Sequence, residues 1–404
     1  MIHSRTAEAR RTPWTPDSWR SLVAHQQPAW DPAELERAVA ELRSLPALVQ
    51  PGEISNLRRA LADAAHGRAF VVQAGDCAES FEDATTEHIT SRGRLIARLA
   101  RGFEEISGRP AVAIGRIAGQ YAKPRSAPTE LVDGRALPVF RGHMVNGAAP
   151  TASARRADAS RLLQGYYRSA TTLNLLRTLH AHPAGQLWVS RECLLLPYDR
   201  STLRNDPASE QWFLSSTHFP WIGERTRDIG GAHVELLSGV VNPLGVKVGP
   251  AVTPEEIVAL CARLDPERAP GRLTLITRFG ANAVRRVLPG LVAAVSAAGH
   301  PVVWMCDPMH GNTIRLPSGI KTRRVTDLLA ELDGWFDVLA GAGVYPGGLH
   351  LECTPDDVRE CVDEDTSEVG EEQPLCDPRL DADQASTLVR GAAQGLRRGA
   401  RPVP

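Results

Sequence analysis

Two kinds of chemistry are spread along this sequence in short polar runs, each of which follows an apolar stretch. Arg116, Lys123, Arg125, Arg225, Lys247 and Arg278 are cations. Gathered in one concavity, they would repel one another unless the ligand carried several negative charges. Arginine forks match carboxylate and phosphate oxygens. The second set is Cys77, His310 and Glu352, joined by Asp377 in Cys376-Asp377-Pro378-Arg379. A thiolate, an imidazole and two carboxylates form a mixed soft and hard donor set. It suits Mn²⁺, Co²⁺, Fe²⁺ or Zn²⁺ without choosing among them.

The lysines sharpen the cation set. Of 46 basic residues only three are lysine: Lys123, Lys247 and Lys321. A chain that has filled its generic cationic positions with arginine is expected to keep lysine where a compact ammonium is required.

These residues need elements to bring them together. Apolar runs occur at Ala69–Ala74, Ala111–Ile114, Gln186–Ser190, Phe219–Ile222, Gly245–Val248, Leu273–Thr277, Pro301–Met305 and Gly348–Leu351, with helical patterns between them. Near-continuous apolar strands separated by helices predict a parallel sheet covered on both faces. Eight of them fit an α/β fold closed as a (β/α)8 TIM barrel, whose C-terminal mouth would collect every polar run. In that barrel the first and eighth strands are neighbours, which brings Cys77 beside Glu352. Residues 1–66 read as an N-terminal helical extension packing on the barrel, and 67–404 as the catalytic barrel. Asp31 and Pro32 start one helix over Pro32–Leu48, and Leu57–Ala65 forms a second that Gly67 stops. Asp363–Gln373 reads as a long loop after the last strand.

Composition excludes other classes. A net charge of −1 leaves no electrostatic footprint for nucleic acid. No apolar run approaches the roughly 20 residues a bilayer requires. Met1–Pro16 is arginine-rich without an apolar core and reads as a tail rather than a secretory signal. Seven cysteines without a framework spacing indicate reduced thiols and a cytoplasmic protein. Gly341-Ala342-Gly343 fails as a dinucleotide fingerprint because Pro346 replaces the third glycine, and no organic cofactor is expected.

The runs Gln73–Glu79, Arg116–Ser126, Trp221–Arg227, Asn242–Pro250, Asp307–Thr313 and Cys376–Leu380 together resemble type II 3-deoxy-D-arabino-heptulosonate 7-phosphate (DAHP) synthases. The resemblance extends from about Trp19 to Leu380. It implies a transferase of the shikimate pathway that joins phosphoenolpyruvate to D-erythrose 4-phosphate, releasing phosphate. It also implies metal ligands Cys77, His310, Glu352 and Asp377, with manganese among the candidate ions. Arg116, Glu224, Arg225, Lys247 and Arg278 would hold phosphoenolpyruvate. Lys123, Arg125 and Ser126 would position the aldose, with Lys321 a further candidate for its phosphate. Lys123 would act as proton donor to the aldehyde oxygen. Glu224 would orient the attacking water or balance the charge of Arg225.

Two departures matter. Many type II enzymes carry a pair of extra helices before the third strand that bind aromatic amino acids. Here a helix ending near His180 and a strand starting near Leu187 leave about six residues. This short form resembles family members that supply specialised pathways, phenazine-type biosynthesis included, and is expected to be feedback-insensitive. Arg191 stands where the family pattern leads one to expect histidine. Cys376, beside Asp377, would lie near Cys77, where the two thiols could oxidise together. A homo-oligomer, dimeric or tetrameric, and a chorismate mutase partner are also implied. Alternatives are an amino-DAHP synthase using an amino-sugar phosphate, a non-catalytic regulatory barrel, or another divalent-metal aldolase.

Overall fold

In the computed structural model, which describes residues 13–132, 134–179, 186–363 and 376–399, eight parallel strands close into a barrel. They are β1 (Phe70–Gly75), β2 (Ala111–Arg116), β3 (Trp188–Glu192), β4 (Phe219–Ile222), β5 (Leu244–Val248), β6 (Leu273–Thr277), β7 (Val303–Cys306) and β8 (Pro346–Glu352). Each coincides with a predicted apolar run, with ends moved by no more than two residues. The ring closes β1 against β8, where Gly75 lies opposite Glu352; on its other side Gly75 lies opposite Arg116 of β2. Parallel register alone therefore brings the ends of β1, β2 and β8 to one point of the mouth.

Both faces of the strands are dry, as a parallel barrel demands. The interior packs Val71, Ile114, Trp221, Ile276 and Met305 into one cluster. The bottom of that cluster is closed by helix α2 (Pro51–Ala65), which contributes Leu57, Leu61 and Ala64. The helix starts earlier than its apolar spacing suggests, because Gln50 and Glu53 form a capping box ahead of the first apolar residue. Helix α1 (Pro32–Ser44) is capped by Asp31, whose side chain accepts from Glu34 N at 2.9 Å. It stops short of Leu48 because Leu45 is extended ahead of Pro46.

The N-terminal segment also reaches the mouth. Gln26 adopts a left-handed backbone (φ 60°), and its amide pairs with the backbone of Arg125: Nε2 donates to Arg125 O at 3.2 Å and Oε1 accepts from Arg125 N at 3.0 Å. Gln27 does the same one loop further on. It donates to Leu194 O at 2.7 Å and accepts from Leu196 N at 3.1 Å. Each glutamine imitates one rung of a strand ladder, so the loops after β2 and β3 are held from outside the barrel.

Three short hairpins, none of them expected, decorate the fold: Thr129–Val132 with Arg135–Pro138, Leu203–Asn205 with Trp212–Leu214, and Thr313–Arg315 with Lys321–Arg323. After β8 the expected loop lies mostly outside the described residues, and the chain is picked up again at Cys376. There Leu380 N donates to Glu352 O at 2.9 Å, and Arg379 reaches Asp76 at 2.7 Å and Glu360 at 2.7 Å. Buried Asp76 also binds Arg92, and this network returns the segment 376–380 to the barrel rim. Among the described residues no helix is long and apolar enough to cross a membrane.

Candidate active site

The four proposed ligands come from β1, β7, β8 and the returning segment. Ligand atoms of Cys77, Glu352 and Asp377 all lie within 4.8 Å of one another, and His310 Nε2 is 3.1 Å from Glu352 Oε1. Asp377 N donates to Cys77 Sγ at 3.2 Å. The donors suit a divalent transition ion, since a soft thiol and imidazole face two hard carboxylates across a space of that size.

His310 is aimed by its other nitrogen. Asp307, the N-cap of the single turn Pro308–Gly311, accepts from Met309 N and His310 N through Oδ1. Its Oδ2 lies 2.7 Å from His310 Nδ1. With the proton on Nδ1, the Nε2 lone pair points at the ligand corner, the usual arrangement of a carboxylate behind a metal-binding histidine. Burial, opposed by Asp307 and Glu352, lowers the His310 pKa and favours the neutral ring. Burial would raise Asp307, but His310, Lys247 and His350 hold it well below the usual carboxylate range.

Glu352 is fully buried and joins the two halves of the site. Its Oε1 lies 2.9 Å from Arg116 Nη2 and 3.2 Å from Lys123 Nζ, while Oε2 lies 3.0 Å from Arg323 Nη2. Burial would raise its pKa, yet His310, Lys123, Arg323 and Arg116 together hold it far below. Lys123 also contacts Asp377 at 3.1 Å. Burial favours loss of its proton, but Cys77, Glu352 and Asp377 keep the ammonium charged.

Beyond Glu352 a cavity opens, lined by Arg116, Lys123, Arg225, Lys247 and Arg278 with Glu192, Glu224 and Trp221. Five of the six expected cations therefore share one concavity, and Arg125 does not. Gln26 fixes its backbone so that its guanidinium faces Glu130 at 3.4 Å in the following hairpin. Ser126 remains at the rim, 2.7 Å from Arg225 Nη2. Lys321 lies in the hairpin after β7 and contacts Asp377 Oδ1 at 3.1 Å, at the ligand corner. Among the described residues Arg225 and Arg278 form no ion pair, whereas Lys247 lies 2.6 Å from Asp307.

Glu224 balances Arg227 (3.1 Å), not Arg225, and accepts from Gly249 N at 2.6 Å. A Cβ on Gly249 would lie 2.8 Å from Glu224 Oε1, so a side chain there would push that carboxylate aside. Arg191 turns away from the cavity into a buried pair with Asp199 at 2.6 Å, packed over Tyr198. It supports the loop after β2, where a Cβ on Gly119 would lie 2.7 Å from Arg191 Cδ.

Several residues escaped the sequence reading. Glu192 ends β3 in the cavity wall, with Oε1 buried and without a hydrogen-bond partner. Burial raises its pKa against the pull of Lys123, Lys247, Arg116 and Arg225. His350 accepts at Nε2 from Arg116 (2.6 Å) and Lys247 (3.0 Å), because Gln73 Oε1 takes its Nδ1 proton at 2.7 Å. It precedes Glu352 by two residues, so strand alternation could have found it. Glu79 binds the amides of Ala118, Gly119 and Gln120 at 2.7–2.9 Å and fixes the loop that leads to Lys123. Burial pushes its carboxyl up to about 7 against those three donors. Glu331 does the same for the loop after β6, holding Phe279 N at 2.8 Å and Asn312 at 2.7 Å.

A model of the class-II DAHP synthetase family matches residues 14–187 and 180–391. A probable phospho-2-dehydro-3-deoxyheptonate aldolase of Pseudomonas fluorescens is 46% identical over 377 residues, covering 91% of this chain and 94% of the relative. The phospho-2-dehydro-3-deoxyheptonate aldolase of Streptomyces coelicolor is 41% identical over 439 aligned positions (95% and 98%), and that of Mycolicibacterium smegmatis 39% over 440 (94% of each). The solved phospho-2-dehydro-3-deoxyheptonate aldolase of Francisella tularensis SCHU S4 superposes with a TM-score of 0.54 at 14% identity, covering 91% of this chain and 97% of that one, a likeness of fold alone.

Replacing Asp307 by asparagine removes the acceptor that orients His310. Divalent-metal affinity is expected to fall about 10- to 100-fold, read by titration against a competing chelator. Unchanged affinity in the folded variant would refute the orienting role.

Proposed function

The chain belongs to the class-II DAHP synthetase family, and on that premise we propose that it condenses phosphoenolpyruvate with D-erythrose 4-phosphate, giving DAHP and phosphate. It is a carbon–carbon bond-forming transferase of a metal-dependent family. The observation that carries the proposed division of labour is the carboxylate of Glu352, shared between the ligand corner and the cation-lined cavity.

Phosphoenolpyruvate carries a carboxylate and a phosphate, and Arg116, Arg225, Lys247 and Arg278 offer enough donors for both. His350 spaces Arg116 and Lys247 from below. The aldose phosphate is assigned to Ser126, which already touches Arg225 of the phosphoenolpyruvate set. Arg125 would have to leave Glu130, and Lys321 would have to leave Asp377, to join it. A divalent ion held by Cys77, His310, Glu352 and Asp377 would supply Lewis acidity to the aldehyde oxygen. Lys123, kept protonated by the ligand carboxylates, stands ready to give a proton to that oxygen as the new bond forms. Water must then add to the enol carbon while phosphate leaves. Glu224 has both oxygens engaged, whereas Glu192 keeps one free, which supports Glu192 as the better acceptor for the water's proton. A phosphate-release assay with both substrates tests this reading. Turnover should vanish with chelator and return with metal, and Glu192→Gln should lose at least tenfold more kcat than Glu224→Gln. No phosphate under any of the candidate metals would overturn the reaction; the reverse order of the two variants would overturn the base.

We further propose that regulation by aromatic amino acids is missing and that the enzyme serves a specialised pathway. Helix α3 (Ser160–Leu179) and β3 are joined by a connection of which residues 180–185 lie outside the described residues. The two family-model segments meet across this same connection, at 180–187. The Streptomyces and Mycolicibacterium alignments run to 439 and 440 positions, longer than this 404-residue chain, so those relatives carry inserted residues. Calorimetry with phenylalanine, tyrosine and tryptophan should detect no submicromolar site.

Cys376 adjoins Asp377, whose N–H donates to Cys77 Sγ at 3.2 Å, and this adjacency supports a disulfide that would remove Cys77 from the ligand set. Peptide mass spectrometry of oxidised, metal-free protein should find that crosslink, and its absence would discard the idea.

A further inference from the structure

Behind the aldose segment, and sharing Arg125 and Ser126 with it, lies a second pocket of about 520 Å³. Four guanidinium groups line it (Arg125, Arg141, Arg155 and Arg156). One carboxylate answers them: Glu130 contacts Arg155 at 2.7 Å and Arg125 at 3.4 Å. Among the described residues Arg141 and Arg156 form no ion pair. Arg141 is half-buried and binds only the backbone and side-chain oxygens of Gln26 through its guanidinium, and burial together with the charge of Arg125 lowers its pKa. Uncompensated positive charge in a concave wall is the electrostatic signature of an anion site.

The rest of the wall is mostly apolar and stiff, with Pro28, Pro128, Pro138, Val139 and Val145, and Gln26, Ser126 and Asn146 supply its polar part. The volume falls within the range of small-molecule sites, about 300–1,000 Å³. The left-handed Gln26 sits on its edge, a strained residue of the kind that ligand clamps retain. Glu130 is already committed to two arginines and to Phe140 N, so no free carboxylate remains to receive an ammonium group.

We propose that this pocket binds a small organic anion with an apolar body and no amino group, and that its occupancy weakens binding of the aldose phosphate. The coupling has a short route. Arg125 belongs to both the pocket and the aldose segment, and Lys123 N donates to Arg141 O at 2.9 Å. Gln26 ties the two arginines together, accepting from Arg141 while its amide pairs with the Arg125 backbone. A ligand that draws Arg125 and Arg141 towards itself therefore strains the segment that carries Lys123 and Ser126.

The test uses the full chain and three probes in calorimetry: 3-phenylpropionate, phenylalanine and inorganic phosphate. 3-Phenylpropionate should bind saturably, and phenylalanine, with the same body and an added ammonium, at least tenfold more weakly. Arg156→Glu, an exposed change, should weaken 3-phenylpropionate at least tenfold and leave the KM for erythrose 4-phosphate unchanged. With the wild-type enzyme, 3-phenylpropionate should raise that KM several-fold and leave the KM for phosphoenolpyruvate alone. Absence of saturable binding, binding indifferent to Arg156→Glu, or equal binding of phenylalanine would overturn the site. Phosphate binding as tightly and with the same Arg156 dependence would overturn the apolar body. An unmoved KM would overturn the coupling, which alone rests on the proposed reaction; the calorimetric arms do not.

Discussion

A carboxylate buried at the end of the last barrel strand is tolerable only because other elements bring cations and polar groups to it. Glu352 receives Arg116 from β2, Lys123 from the loop beyond it, His310 from the turn after β7 and Arg323 from a hairpin. An unpaired charge at that depth would cost several kcal/mol, and removing one partner of a buried pair typically costs about 3–5 kcal/mol. The constraint runs both ways. Glu352 needs these partners to stay ionised, and they need Glu352 to stay where the chemistry requires them. Asp307 repeats the pattern one strand earlier, balancing Lys247 and aiming His310.

Charges held this closely would be useless on mobile loops, and the loops are fixed by buried or partly buried carboxylates acting as amide receptors. Glu79 collects three consecutive N–H groups after β2, Glu331 secures the turn after β6, and Glu224 takes Gly249 N after β5. Each satisfies backbone donors that a buried loop would otherwise leave unpaired. Close approach does the rest. A Cβ on Gly223 would run into Glu192 Oε1, so the loop after β4 can touch that carboxylate only without a side chain. The result is a mouth whose geometry is set before any ligand arrives, which is what electrostatic preorganisation requires.

Most of this architecture was legible in the sequence because buried parallel strands write themselves as unbroken apolar runs, and the barrel rule sends whatever follows each run to one face. The meeting of Cys77 with Glu352 follows from those rules plus the adjacency of β1 and β8, whereas Asp377 was named through the resemblance. What could not be read depends on side-chain direction in irregular segments. Arg125 faces Glu130, and Lys321 faces Asp377, because of short hairpins whose dipeptides Asp133-Gly134 and Ser318-Gly319 signal a turn but not which way the side chains around it face. Glu224 pairs with Arg227 and not with its neighbour Arg225, because only a residue three positions on in that turn can reach it. Arg191 is buried by Asp199, eight positions further along the chain in the turn after β3. His350 and Glu192 were within reach: both sit at strand positions whose alternation with recognised neighbours points them inward.

The closure of β1 on β8 has a consequence in time. Cys77 and Asp377 are separated by 300 positions in the chain, and β1 finds β8 only when the ring is complete. A nascent chain therefore offers isolated thiols and carboxylates but no assembled chelate. Assembly of the candidate ligand set becomes a late event, governed by ring closure, and a barrel that opened at the β1–β8 seam would part Cys77 from Glu352 before it lost most of its secondary structure.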